Sequence, residues 1–292
     1  MTRRSSLGRY CPSTAASPAA DTTARPAAAL ASRTEPFPLT SLPVHATTLT
    51  LAAPDGEADA YLARPDDNAP HPPVLLYTDI MGLRPSMTRI ADRLASAGYT
   101  VLVPNVFYRS GPGPVVEMPE AVTGDNLWDV VGAAVPVAHA LSAQDAMRDA
   151  ALWLDTLQAG RFSTRGPVGI TGYCNGGMLC LRTAGTYSDR VAAAAIVHGS
   201  HLITDAPDSP HLVTDRVRAE VLLVNGEKDT VNPPEEVERF TEVLSAAGVR
   251  HRGEMYPGAQ HGFCSSDLLP LYDAAADERH HKALLDLFGR TL

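Results

Sequence analysis

The sequence predicts an α/β fold: a mostly parallel, doubly wound sheet entered through an N-terminal antiparallel hairpin, with helices on both faces. Three observations predict it. Two alternating runs rich in β-branched and aromatic residues flank a Pro-Asp-Gly turn. After them, short apolar runs of buried-strand type alternate with stretches whose apolar residues recur at helical spacing. The two connections too long to be ordinary turns both follow strands, which puts them at the carboxyl edge of the sheet, where open α/β folds bind ligands.

In chain order, residues 1–42 are Ala, Pro, Ser, Thr and Arg with little to bury, which predicts a disordered tail and leaves 43–292 as one folded domain. Arg3, Arg4 and Arg9 resemble a transit segment or a twin-arginine export signal, but no apolar h-region follows them, so a solvated tail is expected. His45–Ala52 and Ala58–Arg64 form the hairpin around Pro54-Asp55-Gly56. Val74–Thr78 is a buried strand. Pro85–Ala97 carries Met87, Ile90, Ala91 and Leu94 on one helical face and ends at Gly98. Thr100–Val103 is the next strand, and Pro104–Ala140 a long connection. Ser142–Leu157, Asn175–Thr186, Pro233–Ala247 and Tyr272–Phe288 read as helices; Val168–Thr171, Val191–Val197, Val221–Asn225 and Arg250–Tyr256 read as strands. Gly199–Arg218, with Pro207 and Pro210, is the second long loop.

Composition excludes several functions. With 24 Lys+Arg against 33 Asp+Glu the net charge is −9, and the isoelectric point near 5.5 speaks against a nucleic-acid partner. No apolar run is long enough to span a membrane. The cysteines at 11, 174, 180 and 264 are too scattered for a disulfide framework and contain no CxxC pair, which points to reduced thiols, a cytoplasmic setting and no structural metal. No cofactor motif is present, and either a monomer or a homodimer is expected.

The most specific motif is Gly172-Tyr173-Cys174-Asn175-Gly176-Gly177, between a strand and a helix. It is the G-x-S-x-G elbow with cysteine as nucleophile. The tight strand-to-helix turn requires small residues around Cys174, and the helix N-terminus favours a thiolate. Asp229 follows in the turn after Val221–Asn225, and His261 in Gly258-Ala259-Gln260-His261-Gly262-Phe263 after the last strand. Nucleophile, acid, histidine is the chain order of α/β-hydrolases. Glu227 is the alternative acid. An oxyanion hole needs the N–H of Asn175 and one from Asp79-Ile80-Met81-Gly82, where Ile80 is the candidate donor.

On these residues the chain resembles the dienelactone hydrolase family. Asp55-Gly56, Ala60-Tyr61-Leu62-Ala63-Arg64-Pro65, Ala91-Asp92-Arg93-Leu94-Ala95, Gly98-Tyr99, Phe107-Tyr108-Arg109, the cysteine elbow and Ala259-Gln260-His261-Gly262-Phe263 carry the resemblance, over about residues 45–290. It implies an α/β-hydrolase fold, a Cys174-Asp229-His261 triad that opens the lactone of a carboxylated ring, thiol activation by Asp79, and binding of the substrate carboxylate by Arg109. Two positions depart from the family. Asp79 stands where glutamate is usual and is one methylene shorter; Ser265 stands where a second carboxylate-binding arginine is usual.

The function expected is cysteine-dependent hydrolysis of a small lactone or carboxylic ester through a thioester. The alternatives are a cyclase or isomerase using the same acyl chemistry, and a non-catalytic binding or redox protein on the same scaffold. His198, His201 and His211 read as solvated loop histidines without ligand spacing. Cys180 reads as core. Cys264 reads as a buried inert thiol or as a partner for a disulfide with Cys174. Trp128 and Val130–Ala138 either cap the pocket or pack in the core.

Overall fold

The computed structural model describes residues 41–292; the expected tail and its arginines fall, up to residue 40, outside the described residues. β1 (Val44–Ala53) and β2 (Gly56–Pro65) pair antiparallel across the Pro54-Asp55 turn, with Gly56 at φ +143. They lead into an eight-stranded sheet in the order β1-β2-β4-β3-β5-β6-β7-β8. Here β3 is Pro73–Tyr77, β4 Thr100–Pro104, β5 Val168–Tyr173, β6 Val191–Val197, β7 Glu220–Gly226 and β8 His251–Tyr256. β2 pairs antiparallel with β4, and the remaining pairs are parallel. This is the mixed sheet of the α/β-hydrolase fold, as the strand and helix alternation predicts.

The helices divide between the faces according to where their apolar stripes lie. α1 (Pro85–Ser96) opens with Pro85, whose missing N–H costs nothing in the first turn, and buries Met87, Ile90, Ala91 and Leu94. It shares one core with Leu284, Leu287 and Phe288 of α6 (Ala274–Thr291). α3 (Ala143–Ala159), α4 (Asn175–Thr186) and α5 (Pro234–Ala246) cover the other face and bury Trp153, Leu154, Leu179, Phe240 and Leu244. Ser142 caps α3 by accepting from the Asp145 N–H, and Asp273 caps α6 by accepting from Ala275 and Ala276.

The long connection after β4 contains a helix that the sequence reading takes as loop. α2 (Leu127–Ala140) has Gly132 and Ala133 in its middle and Pro136 near its end, which blur the helical pattern. Its apolar stripe, Leu127, Val130 and Ala134, rests on a small satellite core with Met81, Val122 and Leu268, and a parallel bridge joins Val122 to Leu268. In the second long loop, a 3-10 turn over Pro210–Arg216 docks on α4, where a Cβ on Gly185 would lie 2.5 Å from Val213 Cγ2.

The position of the site follows from strand order. β4 lies on one side of β3 and β5 on the other, so the loop after β3 and the loop after β5 diverge over a crevice at the carboxyl edge.

Candidate active site

Cys174 is the hinge between β5 and α4. Its backbone sits at φ +52, ψ −117, a conformation that L-residues rarely adopt and that only dense surroundings sustain. Those surroundings are backbone. A Cβ on Gly172 would lie 2.1 Å from the Gly176 carbonyl oxygen, and one on Gly176 would lie 2.4 Å from that of Thr78. The Cys174 N–H donates to Val197 O at 3.1 Å, and the Ser200 N–H donates to Cys174 O at 3.2 Å. The residue therefore stands proud of the sheet because its neighbours lack side chains, with Sγ 3.8 Å from Ser200 Oγ.

The acid and histidine loops are locked to each other before any side chain is considered. Glu227 N–H donates to Tyr256 O and Lys228 N–H to Ala259 O, each at 2.9 Å, and a Cβ on Gly226 would lie 2.4 Å from Ala259 O. Asp229 is buried and holds its own turn: Oδ1 accepts from the N–H groups of Val231 and Asn232 at 2.8 Å. Its other oxygen, Oδ2, lies 2.8 Å from His261 Nδ1. Glu227, the alternative acid, is exposed and instead accepts from the Gly258 N–H. His261 Nε2 is buried. Burial opposes a charge on this ring, but the Cys174 sulfur and the Asp229 carboxylate outweigh burial and push it up to about 10.

Cys174, Asn175, Ile80, Asp79 and His261 all line one cavity of about 260 Å³. Asn175 is the first residue of α4, and among the described residues neither its N–H nor that of Ile80 donates to a protein acceptor. The rest of the lining is chiefly apolar: Met81, Leu127, Val131, Val135, Leu268 and Leu271, with the exposed Trp128 at its edge. Residues of α2 thus supply a wall of the cavity as well as a small core of their own.

Two expected roles are not met by the geometry. Asp79 does not reach out to the thiol: Oδ1 and Oδ2 accept from Arg84 Nη1 and Nη2 at 2.6 and 2.8 Å, and Oδ1 also accepts from the Met81 N–H. A fully buried guanidinium, itself bound to Asp267 at 3.0 Å, holds the short carboxylate in a bidentate pair. Arg109, unlike Asp79, is not in the cavity lining. It bridges Asp55 of the hairpin turn and buried Asp149 of α3 at 2.6 and 2.7 Å, and lies over the Tyr108 ring at 4.5 Å. Those carboxylates come from distant parts of the chain and turn a presumed ligand group into a tie between elements. Ser265 is buried and lines no part of the cavity.

Sequence reasoning also missed His198. It is fully buried rather than solvated, with φ +37, at the end of β6. Its ring packs against His261 with centroids 4.8 Å apart, and Nε2 lies 3.3 Å from Cys264 Sγ. Burial and the nearby His261 keep its pKa well below the usual histidine value, so it is a neutral packing partner of the histidine loop. The available signal was its place between an apolar strand and Gly199, directly beside the elbow strand. His201 lines the cavity mouth, and His211 Nδ1 is hydrogen-bonded to Ser209 Oγ. Cys174, Cys180 and Cys264 are free thiols. Among the described residues no group of three or more His, Cys, Asp or Glu is arranged to hold a metal ion, and no helix is long and apolar enough to cross a membrane.

A family model described as the dienelactone hydrolase family matches residues 58–292. A Methylorubrum extorquens AM1 protein provisionally named carboxymethylenebutenolidase is 30% identical over 241 residues, covering 80% of this chain and 77% of the relative. The carboxymethylenebutenolidase of Rhodococcus opacus is 25% identical over 236 residues, covering 80% and 86%. Among solved structures, a Klebsiella pneumoniae protein provisionally described as a dienelactone hydrolase aligns with a TM-score of 0.71 at 22% identity, over 85% of this chain and 99% of its own. A dienelactone hydrolase-like promiscuous phosphotriesterase from metagenomic libraries aligns with a TM-score of 0.66 at 21% identity, over 85% and 98%. At those identities the structural likeness speaks to the fold.

Proposed function

The chain belongs to the dienelactone hydrolase family of ester and lactone hydrolases, and on that premise we propose that it cleaves a small lactone or carboxylic ester through Cys174, His261 and Asp229 by way of a thioester. One observation carries the reading: the strained elbow cysteine and a histidine bound to a buried aspartate at 2.8 Å line the same cavity.

The steps follow from the placement of donors and acceptors. Cys174 Sγ, deprotonated with His261 as its counter-ion, attacks the carbonyl carbon. The carbonyl oxygen takes the electron pair and is met by the Ile80 and Asn175 N–H groups. Losing one such donor typically costs about 2.7–4 kcal/mol of transition-state stabilisation. Collapse breaks the ester C–O bond, and His261 Nε2 gives its proton to the departing oxygen. Water then loses a proton to His261 and attacks the thioester, releasing the acid and restoring the thiolate–imidazolium pair. Asp229 holds Nδ1 and so fixes the ring with Nε2 facing the reaction. Asp79 serves through Arg84, by shaping the turn that presents the Ile80 N–H.

The test is Cys174→Ala assayed on 4-nitrophenyl hexanoate. Turnover is expected to fall at least about 10⁴-fold with circular dichroism unchanged; turnover retained within tenfold would overturn the mechanism.

A further inference from the structure

The cavity's charge inventory identifies which esters it can take. Among its lining residues there is no arginine, and a single lysine, Lys228, exposed on the acid loop. The two arginines nearest the expected carboxylate-binding role are committed elsewhere. Arg84 is fully buried between Asp79 and Asp267, and Arg109 is bound by Asp55 and Asp149. The only carboxylate in the lining, Asp79, is neutralised by Arg84 and cannot serve a substrate cation without giving up a bidentate pair. His198 is held neutral by burial. His139 and His201 are exposed, His261 is already paired with Asp229 at 2.8 Å, and the rest of the lining is chiefly the apolar surface of Met81, Leu127, Val131, Val135, Leu268 and Leu271.

We infer that this site selects esters and lactones whose acyl part is uncharged and apolar, and that it discriminates against the carboxylated substrates that the family resemblance implies. The inference rests on the cysteine hydrolase reading above and names the substrate class of that same site. Its physical basis is that a carboxylate brought among these side chains loses its water and finds the buried cation, His261, already paired with Asp229, whereas an alkyl chain gains by leaving water. The wall contributed by α2 does the selecting, since it brings Leu127, Val131 and Val135 to the cavity.

Three 4-nitrophenyl esters of one chain length test it on the full-length protein: the hexanoate, the hemiadipate with a terminal carboxylate, and the methyl adipate, which has the hemiadipate's shape without its charge. The hexanoate and methyl adipate are expected to be used with kcat/KM values within tenfold of each other, and the hemiadipate about 100-fold less well. In Val131→Arg, on the partly exposed side of α2, the hemiadipate-to-hexanoate ratio is expected to rise at least about tenfold, because the new cation supplies the missing partner. Equal use of hemiadipate and hexanoate would overturn the inference. If that activity vanished in Lys228→Met, the rim lysine would be the carboxylate site and the inference would equally fail. A methyl adipate as poor as the hemiadipate would trace the selection to shape and overturn it too. None of these outcomes touches the mechanism, which fails only if Cys174→Ala keeps turning over the hexanoate.

Discussion

The part of the site that carries Cys174 and Asp229 grows from the ends of β5 and β7, strands without one exposed residue, and is fixed by main-chain hydrogen bonds and backbone contacts. The part that carries Leu127, Val131 and Val135 is a single helix with an internal proline, resting on a satellite core of a few side chains. Backbone contacts hold the first, and side-chain packing holds the second. Reaction and selectivity thus rest on different kinds of structure, and substitutions in the two regions should be separable in kcat and in substrate preference.

The largest effect is expected where the rigid region is forced open. Gly176→Ala places a methyl group against the Thr78 and Tyr77 carbonyls, and should lower stability by about 3 kcal/mol in a urea melt. Turnover of every ester should fall together; loss confined to long acyl chains would erase the distinction between the two regions.

Next is Asp229→Asn, which keeps the shape and removes the charge. A fall in kcat of about 10²–10⁴-fold is expected, because the ring loses its orientation and its partner. The pH dependence sharpens this. His261 stands at about 10 in the folded protein, above its ordinary 6.5. The stability drawn from its protonated form is therefore fully present below pH 6.5 and is lost as pH rises through 10. Hydrolysis that needs the imidazolium should fall over the same alkaline range. In Asp229→Asn the alkaline limb of the kcat/KM profile should move to lower pH; an unmoved limb would mean that Asp229 does not support the charge.

The smallest effect is expected on α2. Trp128→Ala removes an exposed side chain, so stability should stay within about 0.5 kcal/mol. The kcat/KM for hexanoate should drop by less than about tenfold while that for acetate is unchanged. A drop shared by both esters would show that α2 positions the reacting groups as well as the chain.

What could be read from the sequence divides along the same line. The hairpin, the buried strands and the helices with full apolar stripes were legible because period and turn chemistry are local properties. So was the grouping of Cys174, Asp229 and His261, since strand ends in a parallel sheet share one edge. α2 was not, because its helix-weakening Gly132 and Pro136 are outvoted by contacts with Met81 and Leu268, far away in the chain. Arg109 and Asp79 were legible as chemical types but not as contacts. Asp149, which claims Arg109, and Arg84, which claims Asp79, look like ordinary surface charges until the fold buries them. His198 looked solvated because it borders the long Gly199–Arg218 loop, and its place between an apolar strand and Gly199 does not by itself say that its ring packs against that of His261.

The two tryptophans occupy opposite extremes of environment: Trp153 is 0% exposed in the core beneath the sheet and Trp128 is 66% exposed at the cavity edge. Their emission should separate by wavelength, a blue component from the core indole and a red one from the edge indole. The enzyme therefore carries two built-in optical channels. Ligand occupancy can be followed in the red channel while the blue channel reports on global unfolding, without a label or a chromogenic ester.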